Sequence, residues 1–343
     1  MSLLEVTGLR VSFPTSDGIV QAVRGVSFTV DRGRTLGIVG ESGSGKSVST
    51  QTLMGLTAGA DISGRALFDG ADLLAMDDER LRRLRGAEIS MIFQDPLSSL
   101  HPLYRVGWQI GELIRVHEPE VSKAAARKRS IELLGLVGIP QPDRRVDDYP
   151  HQFSGGMRQR VMIAMGVALR PRLIIADEPT TALDATVSAQ ILDLLVRLQR
   201  EFETALIVIT HDLGVIADVA DDVFVMYAGR QVERAALRST YYRSHHPYTV
   251  GLLGSVPNAA VPGRLRQIPG APPSLIHPPP ACPFHPRCRF VMPRCTTDEP
   301  PLDPVRDDAD PEHRSACWLP GGLLGVGPEV DEARTRAAQE SRE

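Results

Sequence analysis

The stretch that most constrains the fold is residues 40–47, which read Gly-Glu-Ser-Gly-Ser-Gly-Lys-Ser. A short apolar run at 35–39 precedes it, and residues 48–56 continue in a pattern that suits a helix. A strand, a glycine-rich turn and a helix in this order form a P-loop, whose backbone N–H groups and helix N-terminus cradle phosphate oxygens. The sequence therefore predicts an α/β fold with a phosphate site at this turn.

Two polar side chains complete the predicted site. In P-loop proteins the lysine contacts the β- and γ-phosphates and the next hydroxyl binds Mg²⁺, so these roles fall to Lys46 and Ser47. The predicted nucleotide-binding residues here are Gly40, Glu41, Ser42, Gly43, Ser44, Gly45, Lys46, Ser47 and Val48.

Three later apolar stretches, each interpreted as a strand, end in polar side chains. These side chains are Gln94, Asp177 with Glu178, and His211. Burying two adjacent acids is costly unless they meet a cation or take part in chemistry, so we expect Asp177 to hold Mg²⁺ and Glu178 to polarise the water that attacks the γ-phosphate. Gln94 is expected to contact Mg²⁺ or that water. His211 ends a strand where α/β sheets bind ligands, and is expected to donate a hydrogen bond to the γ-phosphate.

Residues 3–39 carry alternating and β-branched patterns that predict a sheet beside the P-loop strand. Within it, Phe13 either stacks on the nucleotide base or packs in the sheet. Residues 97–160 change character, and helical periodicity over Val106–His117 and Ser122–Val137 predicts a helical subdomain. The alternation of apolar strands and helices after it predicts a mostly parallel sheet.

The helical subdomain closes with a second turn that exposes its backbone. Ser154, Gly155 and Gly156 stand at the start of a strong helical pattern, which makes them a second candidate anion site in one chain.

The composition shifts from about residue 240. Prolines crowd residues 268–286, which excludes long helices and central strands there. All four cysteines of the chain follow: Cys282, Cys288, Cys295 and Cys317. Clustered cysteines in a reducing compartment favour a metal or cluster site over disulfides. Residues 321–343 are charged and are predicted to be a disordered tail.

Charge and hydropathy limit the remaining function classes. The formal net charge of −4 gives no reason to expect nucleic-acid binding. No apolar run approaches the about 20 residues of a membrane span, and the N-terminus lacks the pattern of a signal peptide. We therefore expect a cytoplasmic chain whose membrane role, if it has one, comes through a partner.

The motifs occur in one order along residues 3–240, and together they resemble the ATP-binding subunit of an ABC (ATP-binding cassette) transporter. By this resemblance residues 40–47 are the Walker A loop, Gln94 is the Q-loop residue, Ser154–Gly156 the signature core, Asp177 the Walker B acid, Glu178 the catalytic glutamate, Asp184 the D-loop acid and His211 the switch histidine. The signature reads Phe-Ser-Gly-Gly-Met where Leu-Ser-Gly-Gly-Gln is commonest, and it keeps the residues that face phosphate.

The resemblance implies an assembly. In this family two ATPase domains pair head-to-tail, and each ATP lies between the P-loop of one and the signature of the other. Two membrane-spanning permeases complete the transporter. A groove near Gln94 and the helical subdomain would receive a permease helix at the cytoplasmic face of the membrane. The cofactors implied are ATP and Mg²⁺.

Further details resemble the oligopeptide/dipeptide importer branch. They are the runs 94–100, 153–160 and 246–249, and the segment Cys-Pro-Phe-His-Pro-Arg-Cys at 282–288. His101 stands where that branch more often has Asn. The branch implies a homologous second ATPase as partner, an extracytoplasmic binding protein and a cysteine-rich tail that carries a [4Fe–4S] cluster. Zinc stays an alternative, although the C-x5-C-x6-C-x21-C spacing lacks the C-x2-C pair of zinc ribbons. Free or disulfide-linked thiols are a third possibility.

The sequence is thus interpreted as the ATPase subunit of a type I importer for short peptides, with an ABC ATPase domain at 1–240 and a C-terminal domain at 241–320. Catalysis is assigned to Glu178, His211, Lys46 and Gln94. Nickel or another solute of the same branch is an alternative cargo. A non-transport ABC ATPase and a metal-sensing protein are alternatives of another class.

Overall fold

The computed structural model describes residues 2–181, 183–255, 268–306 and 308–319 and builds them around two sheets. The first sheet has the order β2-β1-β4-β5, and the second has the order β11-β12-β10-β9-β3-β8-β7-β6. The strands are β1 (Ser2–Thr15), β2 (Gly18–Asp31), β3 (Thr35–Val39), β4 (Asp61–Phe68), β5 (Ala71–Asp72), β6 (Ile89–Ile92), β7 (Leu173–Asp177), β8 (Ala205–Thr210), β9 (Asp222–Tyr227), β10 (Arg230–Ala236), β11 (Asp303–Pro304) and β12 (Arg314–Ser315).

The helices follow the strands in alternation, apart from a helical block between β6 and β7. They are α1 (Lys46–Leu53), α2 (Asp78–Leu84), α3 (Pro96–Ser99), α4 (Val106–His117), α5 (Lys123–Leu136), α6 (Pro142–Arg145), α7 (Gly155–Val167), α8 (Ala185–Phe202), α9 (Leu213–Ala217), α10 (Leu237–Tyr242) and α11 (Pro247–Gly254). Among the described residues, no helix is both long and apolar enough to cross a bilayer.

The main sheet is parallel at its centre, as the apolar strand patterns predict. Its strands β6, β7, β8, β3 and β9 run in one direction, so their carboxyl ends share one edge. Alternate side chains of a strand face opposite sides: Leu173 and Ile175 pack in one apolar core, and Ile174 and Ala176 pack in the other. Burial on both faces explains why these strands are apolar throughout.

The N-terminal strands are longer than the sequence patterns suggest. The pattern at 3–13 breaks at Gly8, yet β1 runs unbroken from residue 2 to residue 15. Its pairing with β2 shifts register between Val6 and Leu9, and Gly8 has a φ of 59°. Such an irregularity accommodates extra residues without ending the strand. The glycine therefore marks a bulge and not a loop.

The predicted helical subdomain contains the helices that the periodicity indicates. Helix α4 covers Val106–His117, as predicted. Ser122 accepts a hydrogen bond from the backbone N–H of Ala125 at the start of α5, so it acts as the N-cap of that helix. The prediction of helices in this region is confirmed.

The C-terminal segment joins the main sheet. Two-residue strands β11 and β12 extend its edge, with Glu233 of β10 paired to Ser315 of β12. Tyr248 and Phe284 belong to the same apolar core as the main-sheet strands. The charged tail at 321–343 lies outside the described residues.

A buried ionic cluster stabilises the edge of the main sheet where β10 meets the C-terminal segment. Nε2 of His313 lies 2.8 Å from Glu233, and its Nδ1 lies 2.5 Å from Asp308. All three side chains are at most 1% exposed. Burial alone would lower the pKa of His313, but its hydrogen bonds to the two carboxylates and their charges outweigh burial and raise that pKa.

This cluster predicts a stability that depends on pH. The folded chain binds the His313 proton more tightly than the unfolded chain, so the stabilisation is complete below about pH 6.5 and is lost as pH rises through the raised pKa. Each unit of pKa shift is worth about 1.4 kcal/mol. We expect the difference in unfolding temperature between the unmodified chain and His313→Gln to shrink from pH 6 to pH 9. A difference that stays constant over this range would contradict the assignment.

Candidate functional site

The turn between β3 and α1 requires glycine at two positions. A Cβ atom on Gly40 would lie 2.2 Å from the carbonyl oxygen of Met226. Gly45 caps α1 with a φ of 98°, and a Cβ there would lie 2.3 Å from the carbonyl oxygen of Ala22. Both contacts are with backbone atoms, which cannot rotate away. The glycines therefore let the turn lie close against its neighbours.

Lys46 lies under this turn and is 4% exposed. Its Nζ donates to the carbonyl oxygens of Gly40 and Glu41 over 2.7 and 3.0 Å. Burial lowers the pKa of Lys46, while nearby carboxylates oppose that change. A buried ammonium at the start of a helix is suited to phosphate oxygens.

Ser47 and Asp177 form a pair of oxygen donors. The Ser47 hydroxyl donates to Oδ1 of Asp177 over 2.7 Å. Burial raises the pKa of Asp177, because its carboxylate has lost most of its hydration. A hydroxyl and a buried carboxylate match the hard oxygen ligands that Mg²⁺ takes beside substrate phosphates. The donor set therefore fits Mg²⁺.

Glu178 is held at the end of β7 in an uncommon backbone conformation. Its φ is 46°, in the left-handed region, which carries strain for a residue with a side chain. Its Oε2 accepts hydrogen bonds from Gln94 Nε2 over 3.2 Å and from Thr181 Oγ1 over 2.9 Å. Nδ1 of His211 lies 3.5 Å away. One carboxylate oxygen of Glu178 is thus contacted by side chains from three loops.

A cleft of about 830 Å³ lies beside most of these groups, a volume that suits a nucleotide. Asp177 does not line it but reaches it through its hydrogen bond with Ser47, and Gly40 lies just outside the lining. The loop residues from Glu41 to Val48 line it together with Gln94, Glu178 and His211. The structure thus brings together predicted residues from four separate parts of the chain.

Other predicted residues lie elsewhere. Ser154 caps α7, and Asp184 caps α8 by accepting from the N–H of Val187. A Cβ on Gly156 would lie 2.6 Å from Val187, so the two helix starts are neighbours. None of these residues, nor Gly155, lines the cleft. Phe13 pairs with Val20 in the β1–β2 hairpin and packs against an apolar core, also outside the cleft lining, and its role in base stacking stays a prediction.

The four cysteines come together around a second, smaller cavity. Cys282, Cys288, Cys295 and Cys317 all line it, with His246, Phe284 and Trp318 among their neighbours. All are free thiols. Burial raises the pKa of Cys282 to about 11 and that of Cys317 to about 12. Within the described ranges, no group of three or more His, Cys, Asp or Glu side chains is placed to hold a single metal ion.

Sequence reasoning missed the C-terminal wall of the nucleotide cleft. Residues of this wall are Leu252, Ser255, Ile268, Gly270, Pro272 and Arg287. They follow the P-loop by more than 200 positions, and nothing in their spacing links them to it. The one available signal was the distinctive run at 282–288, which contains Arg287.

Comparison with known families identifies both parts of the chain. The profile described as "ABC transporter" matches residues 23–181. The profile described as "Oligopeptide/dipeptide transporter, C-terminal region" matches residues 232–295.

Characterised relatives are similar over nearly the whole chain. An oligopeptide transport ATP-binding protein, OppD, of Bacillus subtilis is 50% identical over 97% of this chain and 94% of its own length. A dipeptide transport ATP-binding protein, DppD, of the same species is 51% identical over 92% of this chain and 94% of its own length. The OppD protein of Salmonella typhimurium is 51% identical over 93% of this chain and 94% of its own length.

Solved structures support the fold. A dimeric ATP-binding cassette, MJ0796, solved in a post-hydrolysis state with ADP and phosphate, superposes with a TM-score of 0.62 at 28% identity, over 68% of this chain and 99% of that one. The cbiO1 protein of Clostridium perfringens, part of an ABC transporter complex, gives a TM-score of 0.59 at 29% identity, over 71% and 91%. The predicted ABC ATPase fold is confirmed, and the chain belongs to the ATP-binding proteins of the ABC transporter family, in the group that carries the oligopeptide/dipeptide transporter C-terminal region.

Proposed function

We propose that this chain is the ATP-hydrolysing subunit of a membrane complex that imports short peptides. The observation that carries the proposal is the convergence of the P-loop, Gln94, Glu178 and His211 on one cleft. The cargo is supported by relatives about 50% identical that are named for oligopeptide and dipeptide transport.

The cleft residues divide the chemistry among them. Lys46 and the loop N–H groups bind the phosphates. Ser47 and Asp177 would hold Mg²⁺, which supplies positive charge for the phosphate oxygens. Glu178 accepts a hydrogen bond from the attacking water, and Gln94 beside it orients that water. His211 donates to the γ-phosphate as charge develops on it.

A second ATPase subunit is part of the proposal. The signature residues Ser154, Gly155 and Gly156 begin a helix away from the cleft of their own chain. Since a helix N-terminus suits an anion, this placement supports a role at the nucleotide of a partner subunit, with Asp184 at the same interface.

An exposed aromatic patch supports a permease partner. The rings of Tyr104 and Trp108 stack with centroids 4.2 Å apart, and Trp108 is 49% exposed. Beside them Leu103 is 77% exposed. Buried Gln109 fixes the loop by exchanging hydrogen bonds with the backbone of His101 and by donating to the carbonyl of Tyr104. A rigid, apolar surface of this kind suits docking of a permease helix at the cytoplasmic face of the membrane.

The four cysteines are proposed to bind a [4Fe–4S] cluster. Their thiols line one cavity, which supports a shared ligand. When bound, the cluster would cross-link the C-terminal segment through its iron–sulfur bonds.

We expect protein purified without oxygen to show broad brown absorption, with about four irons and four sulfides per chain. The chain has four cysteines in all, so Cys295→Ser removes a quarter of the thiolate ligands and should reduce bound iron by more than half. One zinc ion without sulfide would contradict the cluster and leave the ATPase assignment intact.

The transport function is tested in proteoliposomes that contain the complete transporter. Addition of the binding protein, ATP and a labelled dipeptide or pentapeptide should give uptake and stimulate phosphate release. Uptake of nickel in place of peptides would contradict the proposed peptide cargo but leave the ATPase assignment intact. ATP hydrolysis that no solute or binding protein stimulates would overturn the transport function.

A further inference from the structure

The C-terminal extension, residues 241–320, contacts the phosphate-binding loop at Glu41. Nη1 and Nη2 of Arg287 donate to the two carboxylate oxygens of Glu41 over 2.7 and 2.9 Å, although the residues are 246 positions apart. The Arg287 side chain is 5% exposed. A guanidinium that meets both oxygens of a carboxylate fixes its orientation as well as balancing its charge. The pair therefore anchors one defined point of the loop.

The backbone of Glu41 is also held by the extension. Its N–H donates to the hydroxyl oxygen of buried Tyr248 over 2.7 Å. Its carbonyl oxygen accepts from Nζ of Lys46 over 3.0 Å. One loop residue is thus tied to the extension at two points and contacts the phosphate-binding lysine at a third. Any displacement of Glu41 changes the surroundings of Lys46.

Arg287 is itself held by contacts with other parts of the chain. Its Nε donates to the carbonyl oxygen of Pro269 over 2.8 Å, and its Nη1 donates to the Tyr227 hydroxyl over 3.2 Å. The guanidinium also lies over the Tyr227 ring, 5.7 Å from the centroid. A group held at this many points loses little freedom when it positions another residue.

The same contacts lead to the cysteine cavity. Phe284 lines that cavity, and its ring lies 5.3 Å from Tyr227 and 5.4 Å from Tyr248. Cys288 follows Arg287 in the chain. The cysteine cavity and the P-loop are therefore joined by packed aromatic rings and one ion pair.

We propose that Arg287 is a positioning residue of the ATP site, which holds Glu41 and through it the phosphate-binding loop, so that nucleotide affinity depends on the C-terminal extension. The inference rests on the ATP site of the proposed function. Without Arg287, an unpaired carboxylate would stay beside Lys46, where it repels phosphate and competes for the ammonium group.

The test titrates a fluorescent ADP analogue into the full-length chain. We expect Arg287→Met to weaken binding roughly tenfold, the effect of losing one bidentate ionic contact. The matched control is Arg289→Met, since Arg289 is exposed on the same segment and contacts Phe290. The affinity of Arg289→Met for the ADP analogue should stay within about twofold of that of the unmodified chain. In the assembled transporter, Arg287→Met should raise KM for ATP and leave kcat unchanged, because ground-state binding is what is lost.

A double-mutant cycle tests the route through Glu41. If Arg287→Met folds poorly, Glu41→Gln alone still tests that route, because it removes the same ion pair from the loop side. Glu41→Gln should also lower the affinity for the ADP analogue. The affinity of the double variant should be no lower than that of whichever single variant binds less tightly. Additive losses would overturn the positioning role, as would a lower unfolding temperature with unchanged affinity. The unmodified chain is measured first: if it fails to bind, the ATP site itself is overturned and the inference falls with it.

Discussion

The Glu178→Gln variant is expected to hydrolyse ATP at least about 100-fold more slowly than the unmodified subunit, the usual effect of losing a general base. The amide keeps the size of the side chain and one oxygen to accept the hydrogen bonds from Gln94 and Thr181. The amide cannot take a proton from water, so hydrolysis is strongly slowed while nucleotide binding continues. Phosphate release by the assembled transporter and titration of a fluorescent ATP analogue measure the two properties separately.

The matched control for this variant is Glu132→Gln. Glu132 lies on α5, is 60% exposed and pairs only loosely with Lys128 at 3.9 Å. The same chemical change at this position should leave hydrolysis unaltered. Normal turnover by Glu178→Gln would contradict both the catalytic assignment and the transport mechanism, whereas loss of nucleotide binding would show that Glu178 shapes the site and does not act in chemistry.

Trp108→Ala is expected to weaken assembly with the permeases by about 2 kcal/mol or more, roughly 30-fold in affinity, as for a central aromatic contact of an interface. The side chain is half exposed and stacks on Tyr104, so its removal should cost the isolated subunit little stability. Binding of the purified subunit to permeases in detergent or nanodiscs measures the loss.

Ile19→Ala provides the comparison for this surface. Ile19 is 57% exposed in the β1–β2 hairpin, in another part of the molecule. It should bind the permeases as well as the unmodified chain does. Equal binding by Trp108→Ala and Ile19→Ala would contradict docking at the aromatic patch. Loss of ADP-analogue binding in Trp108→Ala would instead indicate a structural defect.

The catalytic half of the cleft could be predicted from local sequence patterns. Glu178 and His211 each follow an apolar strand, and parallel strands bring their carboxyl ends to one edge. The turn at 40–47 carries its own signal, because only glycine fits at its tight points. Periodicity and strand order are thus enough to place these residues near one another.

The other half of the cleft depends on contacts that no local pattern encodes. Arg287 meets Glu41 across 246 positions, and His313 is buried between Glu233 and Asp308. Proline-rich composition correctly predicts the lack of long elements at 268–286, but it does not show which surface such a segment covers. Pairings of this kind follow from the folded path of the chain.

The main sheet continues past the expected domain boundary at residue 240, and this affects how the protein can be shortened. A cut there would remove β12 and unpair the backbone of β10 at Glu233 and Arg234, which opens this edge of the sheet. It would also strip Tyr248 and Phe284 from the apolar core. An isolated cassette made in this way is a candidate for edge-to-edge aggregation, so a recombinant fragment of this protein should end beyond residue 315.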